Sequence, residues 1–299
     1  MKRHLRRAFA VCVLAATAAY AAGAKNFSSP EEAVQALVAA ARAGDTRAML
    51  AVLGPEAKQI VSSGDAAVDK QARERFVASY GEANKISRPE DGMALLLVGK
   101  DEWIMPIPIV KDAAGWHFDV AEGKEEILNR RIGRNELHAI EAVQAYVDAQ
   151  REYYLRNPQH DKLLQYAQKF VSAKSRRDGL YFPVKAGEAA SPLGPRFDRM
   201  PVGNGEPGKR VPYHGYYYRI LKGQGPDAPG GAYSYLAQGR MIGGFALVAW
   251  PAAYGNTGVM TFLVNQDGVV YEKDLGTGTA SAIPGITQFN PDKTWKPVK

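Results

Sequence analysis

The fold of this chain is decided by residues 135–154, which read NELHAIEAVQAYVDAQREYY. Leu137, Ile140, Val143 and Val147 recur at the three- and four-residue spacing of one helix face. The stretch therefore predicts a long amphipathic helix whose apolar face needs a partner layer.

The neighbouring sequence sets the limits of this helix. Residues 122–131 also have a helical composition, and Gly133 predicts a break between them and the long helix. Asn157-Pro158 predicts its end, because the residue before a proline disfavours helical backbone. A shorter helix is predicted over residues 162–171.

The partner layer is predicted downstream. Four β-like stretches are separated by turn residues, at 213–221, 240–249, 258–264 and 269–273. Asp267-Gly268 predicts a tight hairpin between the last two. We expect a long helix packed on an antiparallel sheet, in an α+β domain over residues 122–299 with a long Gly- and Pro-rich loop at 172–212.

The residues before the long helix predict another α+β domain, over residues 25–121. Ser29-Pro30-Glu31-Glu32 is a capping box, with Ser29 as N-cap and Glu32 reaching back to it. Asp45 is expected to cap a second helix, and residues 67–80 predict a third. Strands are predicted at 93–98, 103–110 and 116–120, the second interrupted or at an edge because of its prolines.

The first 24 residues predict a cleavable export signal. A basic start is followed by an apolar run from Ala8 to Ala19, too short to span a membrane, and cleavage is expected after Ala21 or Ala24. Four of the basic residues behind the net charge of +7 lie in this segment, which leaves +3 for the mature part. That small excess does not favour nucleic acid as a partner. We expect a periplasmic or secreted protein with no stable membrane anchor after cleavage.

Several motifs resemble a bacterial exported family known as domain of unknown function 2950. They are Arg130-Arg131-Ile132-Gly133-Arg134-Asn135-Glu136, residues 146–153, Arg177-Asp178-Gly179-Leu180-Tyr181, residues 213–219 and residues 258–262. Together they cover nearly all of the mature part, and the resemblance implies no activity.

Two further resemblances concern the fold. Asn135-Glu136, Gly215-Tyr216 and Gly255-Asn256-Thr257-Gly258 look like the globular domains of type IV pilins and pseudopilins, which implies a helix on an antiparallel sheet. In pilins that glutamate lies near the start of an apolar helix, whereas here it follows a basic stretch, so insertion and polymerisation are not implied. The sequence around Ser29-Pro30 and Gly115-Trp116 resembles nuclear-transport-factor-2-like domains.

No catalytic or metal-binding motif is recognisable. His117, His138, His160 and His214 do not have metal-ligand spacing, and the single cysteine, Cys12, falls within the predicted signal. No cofactor and no metal are therefore expected.

A binding surface is predicted from the tyrosine-rich run 213–219. Strand alternation places His214, Tyr216 and Tyr218 on one face, and an exposed aromatic face would suit a protein, peptide or carbohydrate. The candidate surface consists of His214, Tyr216, Tyr218, Trp250, Asp178 and Arg177.

A basic pair on the helix gives a separate candidate. Arg130 and Arg131 follow Glu126 by four and five residues, and the first of these is the spacing of a helical ion pair. The alternative is a domain-docking patch of Arg130, Arg131 and Glu136.

Two functions remain open from the sequence. One is a non-catalytic envelope protein that serves as a binding or assembly module. The other is a small-ligand-binding protein or hydrolase with a pocket in or between the two domains.

Overall fold

The computed structural model of the chain describes residues 24–194 and 211–298. The predicted signal therefore lies outside the described residues except for Ala24, and so do residues 195–210 of the predicted loop. Two compact units meet between Glu126 and Ile127, within a helix. Both units combine helices with antiparallel sheets, so the predicted α+β class is confirmed.

The described helices and strands have the following bounds. The helices are α1 (Pro30–Ala43), α2 (Thr46–Leu53), α3 (Lys58–Val61), α4 (Ala66–Glu82), α5 (Val120–Arg156) and α6 (Thr279–Ala282). The first unit has strands β1 (Asn84–Ser87), β2 (Met93–Val98), β3 (Trp103–Ile104), β4 (Ile109–Asp112) and β5 (Gly115–Phe118). The second has β6 (Tyr216–Leu221), β7 (Gly223–Gln224), β8 (Tyr233–Ser234), β9 (Leu236–Ala237), β10 (Arg240–Met241), β11 (Ala246–Pro251), β12 (Met260–Asn265), β13 (Tyr271–Asp274) and β14 (Lys296–Pro297). Within these described parts, no helix is both long enough and apolar enough to cross a membrane.

The start of α1 confirms most of the predicted capping box. Ser29 is the N-cap, and its Oγ accepts a hydrogen bond from the N–H of Glu32 at 3.2 Å. The Glu32 carboxylate reaches back one residue further than predicted, because it accepts from the N–H of Ser28 at 3.0 Å and from its hydroxyl at 2.6 Å. Asp45 caps α2 as predicted.

The first sheet is antiparallel, in the order β1-β2-β4-β5, with β3 added to β2. Along β2, Ala94, Leu96 and Val98 are buried in the core shared with the helices. The predicted strand 103–110 is divided into β3 and β4. Pro106 and Pro108 lie between them and cannot donate ladder hydrogen bonds.

The main sheet of the second unit is antiparallel in the order β14-β13-β12-β11-β6. The predicted Asp267-Gly268 hairpin is confirmed between β12 and β13: Gly268 has a φ of 82° and its N–H donates to the carbonyl of Asn265 at 3.0 Å. Every residue of β11 is buried, so this central strand is covered on both faces.

Helix α5 packs on this sheet, as predicted, but it is continuous over 37 residues and the predicted break at Gly133 is wrong. The hydroxyl of Tyr146 donates to the carbonyl of Ala246 in β11 at 3.2 Å. Val143 and Val147 are buried as predicted, whereas Leu137 is 63% exposed. Leu137 lies about 120° around the helix from Val143, outside the stripe centred on Tyr146.

The predicted helix over 162–171 is also wrong. The backbone groups of this segment form hydrogen bonds with other parts of the chain instead of with each other. The N–H of Tyr166 donates to the carbonyl of Met241 at 2.8 Å. Both backbone groups of Ala167 bond to the side chain of Gln150. With these groups already paired, no helical ladder forms.

Two glycines of α5 give a matched prediction. A Cβ at Gly133 would meet no atom within 4 Å, whereas a Cβ at Gly123 would lie 2.7 Å from Cγ1 and 3.1 Å from Cα of the buried Ile107. Gly133→Ala should raise the free energy of unfolding by about 0.5–1 kcal/mol, because alanine loses less backbone entropy in a helix. Gly123→Ala should lower it by about 1–3 kcal/mol through overpacking. Urea unfolding checks both, and a Gly123 variant at least as stable as the unchanged chain would contradict the close packing of Gly123.

Candidate functional site

Tyr216 and Tyr218 of the candidate surface lie in the core. The alternation along β6 is as predicted, but the face that carries these rings is the buried one, with exposures of 0% and 5%. The hydroxyl of Tyr216 donates to the carbonyl of Met260 at 2.9 Å. These two rings therefore cannot form an exposed aromatic surface. Their face of β6 belongs to the core that also contains the buried side chains of α5.

Trp250 lies on the opposite face of the sheet. It pairs in register with Tyr217, and the two ring centres are 5.8 Å apart. The guanidinium of Arg219 lies 5.7 Å from the indole centre. Trp250 is 5% exposed and does not rim the face of Tyr216 as expected.

His214 is the exposed member of the tyrosine-rich run. It has a φ of 49° and is followed by Gly215 at 77°, so a tight turn precedes β6. Its ring centre lies 4.4 Å from that of His138 on α5 and 4.3 Å from that of Tyr213. Burial, followed by the neighbouring His138, lowers the pKa of His214, while Glu141 acts in the opposite direction.

Arg177 and Asp178 organise their own loop. The Arg177 guanidinium donates to the Glu188 carboxylate at 2.8 Å. Asp178 accepts from the N–H of Ala173 at 2.9 Å and from Nζ of Lys169 at 2.7 Å. Burial would raise the pKa of Asp178, but these two bonds outweigh it and the pKa lies below its usual value.

The candidate docking residues on α5 hold a loop of the second unit. The Glu136 Oε1 accepts from the N–H groups of Val259 and Met260 at 2.9 and 3.0 Å. One turn earlier, the Arg131 guanidinium donates to the side-chain oxygen of Asn256. Arg130 is half-buried on the same helix. Arg131 and Glu136 thus fasten the connection between β11 and β12 to α5.

Further close contacts hold the connection between β11 and β12 against α5. Asn135 donates its side-chain amide to the carbonyl of Thr257 at 2.9 Å. A Cβ at Gly215 would lie 2.6 Å from Nδ2 of Asn135, and one at Gly258 would lie 2.6 Å from Cζ of Tyr216. We call Asn135, Glu136, Gly215, Tyr216 and Gly258 the helix–loop junction. The short motifs that resemble pilin domains supply all five residues.

The electrostatics of the helix–loop junction favour a structural role for the Glu136 carboxylate. Burial, and then the charge of Glu136, raises the pKa of Tyr216, which keeps the phenol neutral. Burial and the same charge raise the pKa of Glu272 on β13. Because Oε1 of Glu136 already accepts two backbone hydrogen bonds, this carboxylate fixes the start of β12.

Sequence reasoning missed two residues that the fold makes important. Gln150 is fully buried, and its amide donates to the Tyr146 hydroxyl and the Ala167 carbonyl at 3.0 and 2.8 Å. His138 meets His214 only through tertiary packing, so no local spacing signals the pair. Across residues 24–194 and 211–298, no group of three or more His, Cys, Asp or Glu side chains could hold a metal ion.

Comparison with known proteins identifies a family. Neither a curated protein nor a solved structure was found to match the chain. The resemblances to pilins and to nuclear-transport-factor-2-like domains therefore stay predictions. The family described as "Protein of unknown function (DUF2950)" has a model that matches residues 24–298, and the chain belongs to that family.

Proposed function

We propose that this chain is exported and that its folded part is a non-catalytic binding module of the bacterial cell envelope. A basic start and a short apolar run, typical of an export signal, support export. The first described residues after them are held by the first unit, because the backbone of Phe27 pairs with that of Trp116 in β5. The predicted cleavage after Ala21 or Ala24 would leave this pairing intact.

The observation that carries the binding role is a set of exposed apolar side chains at the end of α5 and in the segment that follows it. Leu155 is 77% exposed, and Leu163 and Leu164 in the following segment are 46% and 36% exposed. The rings of Tyr154 and Tyr166 stack with centres 4.7 Å apart, which joins the helix end to that segment. We call these five residues the helix-end patch.

A protein partner fits the helix-end patch better than a carbohydrate. Its most exposed members are the three leucines, which offer neither hydrogen bonds nor a flat ring on which a sugar could stack, but can bury apolar side chains of a protein. The rings of Tyr154 and Tyr166 are partly buried and stack on each other. Arg151 and Arg156 near the patch are occupied by ion pairs with Asp148 and Glu152. Apolar contact is therefore the main attraction that the patch offers.

The architecture also supports an assembly role. A long helix on an antiparallel sheet is the arrangement that the pilin resemblance implies, and Glu136 of that helix binds the loop before β12. We propose that the second unit is pilin-like in this limited sense, as a globular head that associates without a membrane helix of its own.

The test isolates a C-terminally tagged chain from cell envelopes and measures which proteins copurify with it. The N-terminus of the isolated protein should be Ala22 or Lys25, and an intact Met1 would contradict export by a cleaved signal. Leu155→Ser and Leu163→Ser should each remove a copurifying protein that the unchanged chain retains, because a polar side chain destroys apolar complementarity.

Leu137→Ser is the matched control, since Leu137 is 63% exposed on the same helix outside the patch. It should retain the partner, and circular dichroism should show all three variants folded. The purified partner should then bind the unchanged chain directly and the Leu155 variant at least ~10-fold more weakly. Equal binding by all variants would overturn the helix-end patch as the binding surface.

A further inference from the structure

We infer that His138 and His214 form a two-imidazole site for a divalent transition metal, and that Cu²⁺ fits it best. The two side chains come from different elements, His138 from α5 and His214 from the turn before β6. This assignment is independent of the binding role proposed above.

The separation of the two rings carries the inference. An imidazole nitrogen binds a transition metal at about 2.0–2.1 Å, which places the ring centre roughly 3.2 Å from the ion. Two imidazoles that bind one ion at right angles then have centres about 4.5 Å apart, and at the tetrahedral angle about 5.2 Å. The observed separation is 4.4 Å, with the ring planes inclined at 52°.

A right angle between ligands selects among metals. Square-planar and tetragonal arrangements of nitrogen and oxygen ligands are preferred by Cu²⁺ and Ni²⁺, and Cu²⁺ stands highest in affinity among the divalent first-row ions. Structural Zn²⁺ prefers a tetrahedral shell, usually with four protein ligands. Two imidazoles with water in the remaining positions therefore favour Cu²⁺.

The surroundings of the pair favour a bound cation. His214 is exposed, which gives an ion access from solvent, and His138 is half-buried on the helix. Glu141 lies one turn after His138 and acts electrostatically on His214, so it adds negative charge beside the site.

The experiment titrates Cu²⁺ alone into the purified chain at pH 7.5 and follows the heat of binding and the electron paramagnetic resonance spectrum. One ion per chain should bind, with nitrogen hyperfine structure. His138→Gln and His214→Asn should each weaken binding by at least ~10-fold, because each removes one of the two protein ligands. Asparagine is chosen at His214 because it tolerates the left-handed backbone there.

His160→Asn is the matched control. His160 is likewise exposed and left-handed, with a φ of 54°, and its exchange should leave the affinity unchanged. Circular dichroism should show that every variant is folded. The assignment is overturned if the His138 and His214 variants bind Cu²⁺ as tightly as the unchanged chain, or if the His160 variant loses binding to the same extent.

Discussion

Gly258→Ala is expected to destabilise the second unit by about 2–3 kcal/mol, a typical cost of overpacking a rigid site. The new methyl carbon would lie 2.6 Å from both Cε2 and Cζ of Tyr216. The ring cannot move aside, because Tyr216 is fully buried and its hydroxyl is bonded to Met260. The backbone is held as well, since Glu136 binds the N–H groups of Val259 and Met260.

Urea unfolding followed by circular dichroism measures this cost. Gly278→Ala is the control, because a Cβ at Gly278 would meet no atom within 4 Å and should change the stability by no more than about 0.5 kcal/mol. Equal unfolding midpoints for the two variants would show that the helix–loop junction is looser than the structure indicates.

Gln150→Leu is expected to cost about 2–5 kcal/mol, because the exchange leaves buried backbone groups without partners. The Gln150 amide is fully buried and bonds both the N–H and the carbonyl of Ala167, each at 2.8 Å. The Gln150 side chain thereby pairs with the backbone of Ala167 as a neighbouring strand would, in a segment that forms neither helix nor sheet. Leucine has a similar size, so the loss measures hydrogen bonding rather than a cavity.

Gln144→Leu on the exposed side of the same helix is the control and should change the stability by at most about 0.5 kcal/mol. Amide hydrogen exchange gives a second readout, since the Ala167 amide should lose protection in the Gln150 variant. A Gln150 variant as stable as the control would contradict the structural role of this side chain.

Features fixed by neighbouring residues were predicted well from the sequence. The cap at Ser29, the bounds of β2 and the Asp267-Gly268 hairpin each depend on a few adjacent residues. The error at Gly133 has a local cause too. A single glycine costs a helix only about 1 kcal/mol, and the turns on both sides of it offset that cost.

Features fixed by distant residues could not be predicted. The alternation of β6 gave two faces, but only the packing of α5 decides that Tyr216 and Tyr218 are inside. The false helix at 162–171 has the same origin, because Gln150 and Met241 take the hydrogen bonds that a helix would need. His138 and His214 likewise become neighbours only in the folded chain.

The continuity of α5 has a consequence for how the protein is degraded. Proteases cut extended, accessible backbone, and multidomain chains usually offer it between their domains. Here the boundary at Glu126 and Ile127 lies inside a helix whose amides are hydrogen-bonded. A protease can cut there only after that part of the helix has unfolded. The backbone that joins the two units is therefore protected by its helical hydrogen bonds.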